Sequence, residues 1–350
     1  MSTITRRPAA APPSTRPRLS WRQDMVTVVL ASVMEIGGIL DGWAHGHLPE
    51  LETVLTPWHA VLYGGYVATA SWMALQLLRF RRRGLRGRAC VPVGYGLGVI
   101  GAGIWAVAGG LDLGVWHQIF GIEHDLEALL SPTHLLLAFG ELLMITSPLR
   151  AAWSDVTGPR APAFRTFLPP LVSALLAVQL AGFMLQYFSA FLQDFPAADA
   201  ALGIAALLTT NTLLVGTALL LLRRWQTPPG SCTVLFTGVA VMLNGIIAFE
   251  GWPTFLAALA GGATADLLIQ RLAPASSRPG THRAVAVGSS LAMWSTYMAV
   301  AVLRLGMDWS VPLWTGAITL AVGSSAALAL LVAPLPVAEA GVPEPARIRP

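Results

Sequence analysis

Charge is scarce in this chain, and one basic residue type is missing. Only 11% of the 350 residues are charged, less than half of the roughly 25% of an average soluble domain. Lysine does not occur, so all 22 basic residues other than histidine are arginine. The low charge excludes an ordinary water-soluble domain, because too few charged side chains are present to cover its surface.

Cysteine is also scarce. The only two cysteines are Cys90 and Cys232, and both lie at ends of predicted helices. Two such distant residues exclude a disulfide framework, and no CxxC pair is present for redox or zinc chemistry.

Long apolar runs account for much of the remaining sequence. Hydrophobic residues make up 55% of the chain, with runs such as VLYGGYVATASWMALQLL and LVSALLAVQLAGFMLQYF. These runs approach the roughly 20 residues that cross a bilayer. They predict an all-α polytopic membrane protein, embedded in the lipid bilayer, with about ten transmembrane helices. We place these helices at 25–45, 56–79, 93–112, 132–149, 167–190, 201–222, 232–249, 253–270, 285–304 and 312–333.

The arginines predict the orientation of the helices. They concentrate in alternate loops, such as RFRRRGLRGR, whereas the other loops carry Asp and Glu. An excess of Arg is typical of cytoplasmic loops, so both termini are predicted in the cytoplasm of a multi-pass cell (inner or plasma) membrane protein. The basic pI of about 9.6 therefore reflects topology, and we expect no nucleic-acid partner.

The chain divides into four predicted parts. Residues 1–24, rich in Pro, Ser and Arg, are predicted to be a disordered cytoplasmic tail. Residues 25–150 form a four-helix repeat unit that carries a metal site. Residues 151–333 form a six-helix membrane scaffold, and 334–350 are a second disordered tail.

A nine-residue motif occurs twice. LETVLTPWH ends at His59, and LEALLSPTH ends at His134. Each copy follows an Asp and another His where an apolar helix leaves the predicted membrane. Both units run out of the membrane and back in the same direction. The pattern indicates a parallel repeat of the first two helical hairpins, with the histidines facing the outside of the cell.

The first repeat places metal-binding side chains together. Asp41 and His45 are four residues apart, so they share one face of a helix. His59 returns at a similar depth on the next helix. Thr56 precedes Pro at the start of that helix, as Ser131 does in the second repeat, and both are candidate N-caps. This local structure would hold each terminal His rigidly, one turn into a helix.

The second repeat differs in its spacing. Asp112 and His117 are five residues apart, and residues at this spacing do not share one face of a regular α-helix. We therefore expect the helix to end or bulge there. Glu52 and Glu127 each precede the terminal His by seven residues, and Glu141 follows His134 by the same interval. Glu141 and Glu127 are the candidate catalytic carboxylates. The candidate metal ligands are Asp41, His45, His47, Glu52, His59, Asp112, His117, Glu123, His124 and His134.

Imidazole and carboxylate groups without thiolates suit zinc, iron, manganese or copper(II). The candidate donors exceed what one ion requires. Either the site holds two ions, or some of the carboxylates only orient histidines.

The spacing of Asp41, His45 and His59 resembles the copper site in the C subunit of copper membrane monooxygenases, which oxidise methane, ammonia or short alkanes. The resemblance covers less than a tenth of the chain, and the interval between the two histidines is one residue longer here. It implies that these three residues bind copper, and it favours copper over iron or zinc as the cofactor.

Three functions fit these features. The first is a metal-dependent membrane oxidoreductase, similar to a monooxygenase, with a small substrate or a hydrophobic one that enters from the bilayer; zinc would instead indicate a membrane hydrolase. The second is a metal-transport or metal-handling protein. The third is a structural protein in which the repeats only shape two hairpins. Association with itself or with another subunit stays open.

Overall fold

The computed structural model describes residues 16–48, 56–121, 125–192, 199–274 and 278–332, and these ranges contain helices and no strand. The chain is therefore all-α, as predicted. The helices are α1 (Trp21–His47), α2 (Pro57–Arg82), α3 (Gly96–Leu111), α4 (His117–Phe120), α5 (Asp125–Leu130), α6 (Pro132–Ile145), α7 (Ser147–Trp153), α8 (Phe164–Met184), α9 (Ala200–Arg224), α10 (Ser231–Asn244), α11 (Pro253–Leu272), α12 (Pro279–Arg304) and α13 (Val311–Val332).

Eight helices in these described ranges are long and apolar enough to cross a membrane, which indicates a multi-pass membrane protein. Each of the ten predicted helices coincides with a helical segment of the structure. Two of these ten segments do not form a single straight helix long enough to cross a membrane. Helices α6 and α7 are bent by 42° and would count as a ninth span together, and Ser231–Ile247 is a shorter apolar helix. Pro148 explains the bend, because proline removes a helical hydrogen bond and clashes with the preceding turn.

The first helix begins earlier than predicted. The Ser20 hydroxyl caps the backbone of Gln23, and the Gln23 side chain bonds back to the Ser20 backbone. This capping box starts α1 at Trp21. Arg16 donates to the carbonyl oxygens of Val91 and Pro92. Residues 16–24 are therefore ordered, although we predicted a disordered tail over 1–24. Residues 1–15 and the predicted tail at 334–350 lie outside the described ranges.

Two close helix pairs form the part of the bundle that carries the repeats. Helix α1 packs along α2, and α3 packs along α6. Glycine permits the first approach, because a Cβ atom on Gly37 would lie 2.4 Å from the backbone nitrogen of Leu62. The second pair meets at Gly101 and Gly140, where a Cβ on Gly101 would lie 2.4 Å from the Gly140 carbonyl oxygen. Small residues allow such contacts between membrane helices.

The remaining long helices do not form a separate body. Both α1 and α6 pack on α8, and Ala31, Ile39 and Ile145 belong to the same apolar core as α8 to α13. The predicted units 25–150 and 151–333 therefore share one core. Within the scaffold, the Asn211 side chain of α9 accepts hydrogen bonds from Ser290 and Trp294 of α12.

Candidate metal centre

The first triad consists of Asp41, His45 and His59 and lies where α1 ends and α2 begins. Nε2 of His59 is 3.3 Å from Oδ1 of Asp41, and Nε2 of His45 is 3.7 Å from Oδ2. One donor atom from each residue lies within 4.8 Å of the other two. Ligands that each bind an ion at about 2.0–2.2 Å are separated by roughly twice that length at most, so a small inward movement would close the triad around an ion.

The second triad consists of Asp112, His117 and His134. Oδ2 of Asp112 is 3.1 Å from Nε2 of His117 and 3.6 Å from Nε2 of His134. These donor atoms also lie within 4.8 Å of one another. Asp112 is only 3% exposed, and its Oδ1 accepts a 2.6 Å hydrogen bond from Thr133. The second triad thus repeats the composition of the first in a more buried setting.

A π-helical turn brings Asp112 and His117 together. The segment Asp112–Trp116 has the wider π-helical turn and leads directly into α4. A π-turn closes hydrogen bonds between residues five apart and not four apart, so residues at this spacing come onto one face. The bulge predicted from the off-face spacing is confirmed.

The two N-cap hydroxyls bind their histidines in the same way. The Thr56 hydroxyl lies 2.9 Å from Nδ1 of His59 and also accepts the His59 backbone N–H. The Ser131 hydroxyl lies 2.9 Å from Nδ1 of His134 and accepts that residue's backbone N–H. The predicted N-caps are confirmed. With Nδ1 held by a hydroxyl, the Nε2 atom of each imidazole faces the carboxylate of its triad.

The contact between His117 and Asp112 places an imidazole nitrogen against a carboxylate. Nδ1 of His117 lies 3.0 Å from the carbonyl oxygen of Gly121. A carbonyl oxygen only accepts hydrogen bonds, so this nitrogen carries a proton. In a neutral imidazole, Nε2 then has a lone pair, and that lone pair faces the Asp112 carboxylate. Either a proton on Nε2 or a metal ion makes this contact favourable.

The two triads are neighbours within the bundle. Asp41 of the first triad interacts electrostatically with His134 of the second, and His59 interacts with Asp112. Tyr63 lies between them, because its ring stacks on His59 at 5.6 Å and it interacts with both aspartates. The arrangement can hold two ions, one in each triad.

The other predicted site residues lie outside the triads. The His47 ring stacks on Trp43, and its Nδ1 lies 2.8 Å from the Trp43 carbonyl oxygen. Glu127 is exposed on the short helix α5. Glu141 is buried on α6, two turns along that helix from His134. The predicted ligands Glu52, Glu123 and His124 lie outside the described residues.

Three contacts around the triads were not predicted from the sequence. They are the hydrogen bond from Thr133 to Asp112, the carbonyl of Gly121 beside His117, and Tyr63 between the triads. Tyr63 follows His59 by four residues, so its place on the same helix face was visible in the sequence. The contact of His117 with the Gly121 carbonyl could not be predicted from residue types, because every residue has a backbone carbonyl.

Comparison with known proteins identified no relative of this chain. The chain matches no family model, no curated protein and no solved structure.

Proposed function

We propose that the protein is an integral membrane metalloprotein that binds transition-metal ions in two neighbouring His–His–Asp triads. Its activity is that of a metal-dependent membrane oxidoreductase acting on a small or hydrophobic substrate. The triads face the extracytoplasmic side, because the arginine-rich loops lie at the other ends of these helices.

The observation that carries this proposal is the repeated ligand geometry. Two triads of the same composition place imidazole Nε2 atoms around a carboxylate, and a hydroxyl holds the Nδ1 of one histidine in each triad. Metal-binding histidines commonly have their second nitrogen held by such a partner. A purely structural role would require no such convergence at both sites.

The donor set narrows the choice of metal. Two imidazoles and one carboxylate suit copper, iron or zinc, and the spacing of the first triad, which resembles a copper site, favours copper. Three protein ligands leave coordination positions open, as catalytic sites require. Bound copper or iron would supply redox chemistry with dioxygen, whereas zinc would activate water.

Elemental analysis of the detergent-purified protein by mass spectrometry tests the proposal. The variants are His59→Ala, His134→Ala and the double substitution. We expect copper, or else iron or zinc, in the native protein. Each single variant should lose about half of it, because each removes one ligand from only one triad.

The matched control is His47→Ala, which removes a neighbouring histidine that lies outside both triads. It should keep its metal. Unchanged metal content in a folded double variant would overturn the proposal, as would an equal loss in the His47 variant.

A further inference from the structure

Two buried carboxyl groups lie on the contacting helices α1 and α6, outside both triads. Glu35 of α1 is 3% exposed, and Glu141 of α6 is 7% exposed. The two side chains interact electrostatically with each other. Neither residue belongs to a triad, so the metal site does not account for them.

Their surroundings do not neutralise two negative charges. Oε1 of each side chain is buried without a hydrogen-bond partner in the described part of the chain. The helices packed on α1 and α6 include α2, α3, α5, α7, α8 and α10, and the π-helical turn Asp112–Trp116 also packs on α6. None of these elements places a described cation between the two ends of the helices. Their described ionisable side chains are, at the triad end, His59, Tyr63, Asp112 and Glu127, with Tyr66 one turn further along α2, and, towards the opposite ends, Arg79, Arg81, Arg82, Arg150, Arg165 and Cys232.

The cationic side chains on α1 and α6 are also distant along the chain from Glu35 and Glu141. Arg22 lies in the first turn of α1, and His45, His47 and His134 lie at the triad end. Arg150 directs its guanidinium to the carbonyls of Gly94 and Leu143 and to nearby hydroxyls. Two ionised carboxylates without a counter-ion are strongly unfavourable in an apolar interior.

We propose that Glu35 and Glu141 form a proton-binding carboxyl pair, in which at least one of the two side chains stays protonated at neutral pH. The bound proton removes one of two negative charges that have no counter-ion in this apolar interior. Aspartic-protease dyads are a general precedent for two neighbouring carboxyls that do not both ionise.

The position of the pair connects it with the triads. Glu35 lies about 9 Å along α1 from Asp41, and Glu141 lies about 10 Å along α6 from His134, at 1.5 Å per residue. Each glutamate is thus on the same helix as a ligand of a different triad. The use of this pair as a proton store for the metal centre rests on the proposed function, whereas the presence of the bound proton does not.

Infrared spectroscopy of the metal-free protein at neutral pH tests the pair directly. We expect a carbonyl band of a protonated carboxylic acid that shifts in D₂O. Glu35→Gln and Glu141→Gln should each remove or shift that same band, because each substitution changes either the protonated carboxyl or the charge that interacts with it. The control Glu127→Gln changes an exposed carboxylate and should leave the band unchanged.

Dicyclohexylcarbodiimide, an apolar reagent that adds to protonated carboxyls, tests the native chain without any substitution. Peptide mapping should find the label on Glu35 or Glu141. Absence of both the acid band and this label would overturn the proposal, since both carboxyl groups would then be ionised. A band unaffected by both substitutions would overturn it as well. Metal-free spectra keep this test separate from the proposed function, which fails only if the triads bind no metal.

Discussion

At the scale of single residues, the site depends on short side chains beside the histidines. The hydroxyls of Thr56 and Ser131 each perform two tasks: they cap a helix and contact the Nδ1 of the histidine three residues later. An oxygen with two lone pairs can accept both the backbone N–H and the imidazole N–H. One oxygen atom therefore both starts the helix and orients a histidine of the triad.

Replacement of Thr56 by Val tests this coupling. Valine has the same shape but no hydroxyl, so both hydrogen bonds are lost. We expect the helix to lose about 1 kcal/mol of stability, as for other N-cap losses, and metal affinity at the first triad to fall by roughly 10–100-fold. Competition with a chelator during metal titration measures the affinity.

The matched control is Thr56→Ser, which keeps the hydroxyl at the same position and should bind metal almost as the native protein does. If the Val and Ser variants bind metal equally well, the hydroxyl does not orient His59.

At the scale of helices, the triads depend on how closely two helices approach. Asp41 and His45 come from α1, whereas His59 comes from α2, and the pair is in backbone contact at Gly37 and Gly65. A Cβ atom on Gly65 would lie 2.5 Å from the Met34 backbone. Since ligands bind an ion only at about 2 Å, separation of the helices would open the first triad.

Gly37→Ala should therefore destabilise the protein and weaken the first triad. The added methyl group meets the backbone of Leu62, which cannot move as a side-chain end can. We expect a loss of roughly 1–3 kcal/mol, as for other overpacked positions. Thermal unfolding followed by circular dichroism measures the stability, and elemental analysis measures the metal.

Gly38→Ala is the neighbouring control. A Cβ atom there has nothing within 4 Å, and alanine favours a helix over glycine, so its unfolding temperature should stay the same or rise. Equal destabilisation by both substitutions would contradict a specific contact between α1 and α2.

At the scale of the whole molecule, the ligand triads and the arginine-rich loops lie at opposite ends of the long helices. Helix α1 ends at His47 beside the first triad, whereas α2 runs from Pro57 near that triad to Arg82. By the positive-inside rule we propose that the arginine end faces the cytoplasm, which would place the proposed metal centre on the other side.

Cysteine labelling tests this orientation. Gly46→Cys adds a thiol at the triad end, where a Cβ has open space, and Arg86→Cys adds one in the exposed loop after α2. A membrane-impermeant maleimide should label the first variant in intact cells and the second only after permeabilisation. The native Cys90 and Cys232 are each 2% exposed and should react little. The reverse pattern would place the metal centre in the cytoplasm.

The sequence alone determined the helical class, the approximate place of the ten apolar helical segments and the ten candidate ligands from which both triads come. These features are local: apolar runs set the helices, and the repeated Ser/Thr-Pro-x-His fixes each terminal histidine by an N-cap within four residues. Even the bulge at Asp112 was visible, because a spacing of five does not fit one face of an α-helix.

Only the tertiary structure decided which candidates converge. His47 and Glu127 are as close in sequence to the triad residues as Glu141 is. Yet His47 stacks on Trp43, Glu127 is exposed, and Glu141 is buried and interacts electrostatically with Glu35. These outcomes depend on how α1, α2, α3 and α6 pack, and that packing arises from backbone contacts at glycines on different helices. Contacts between residues far apart in the chain leave no periodic signal in one sequence.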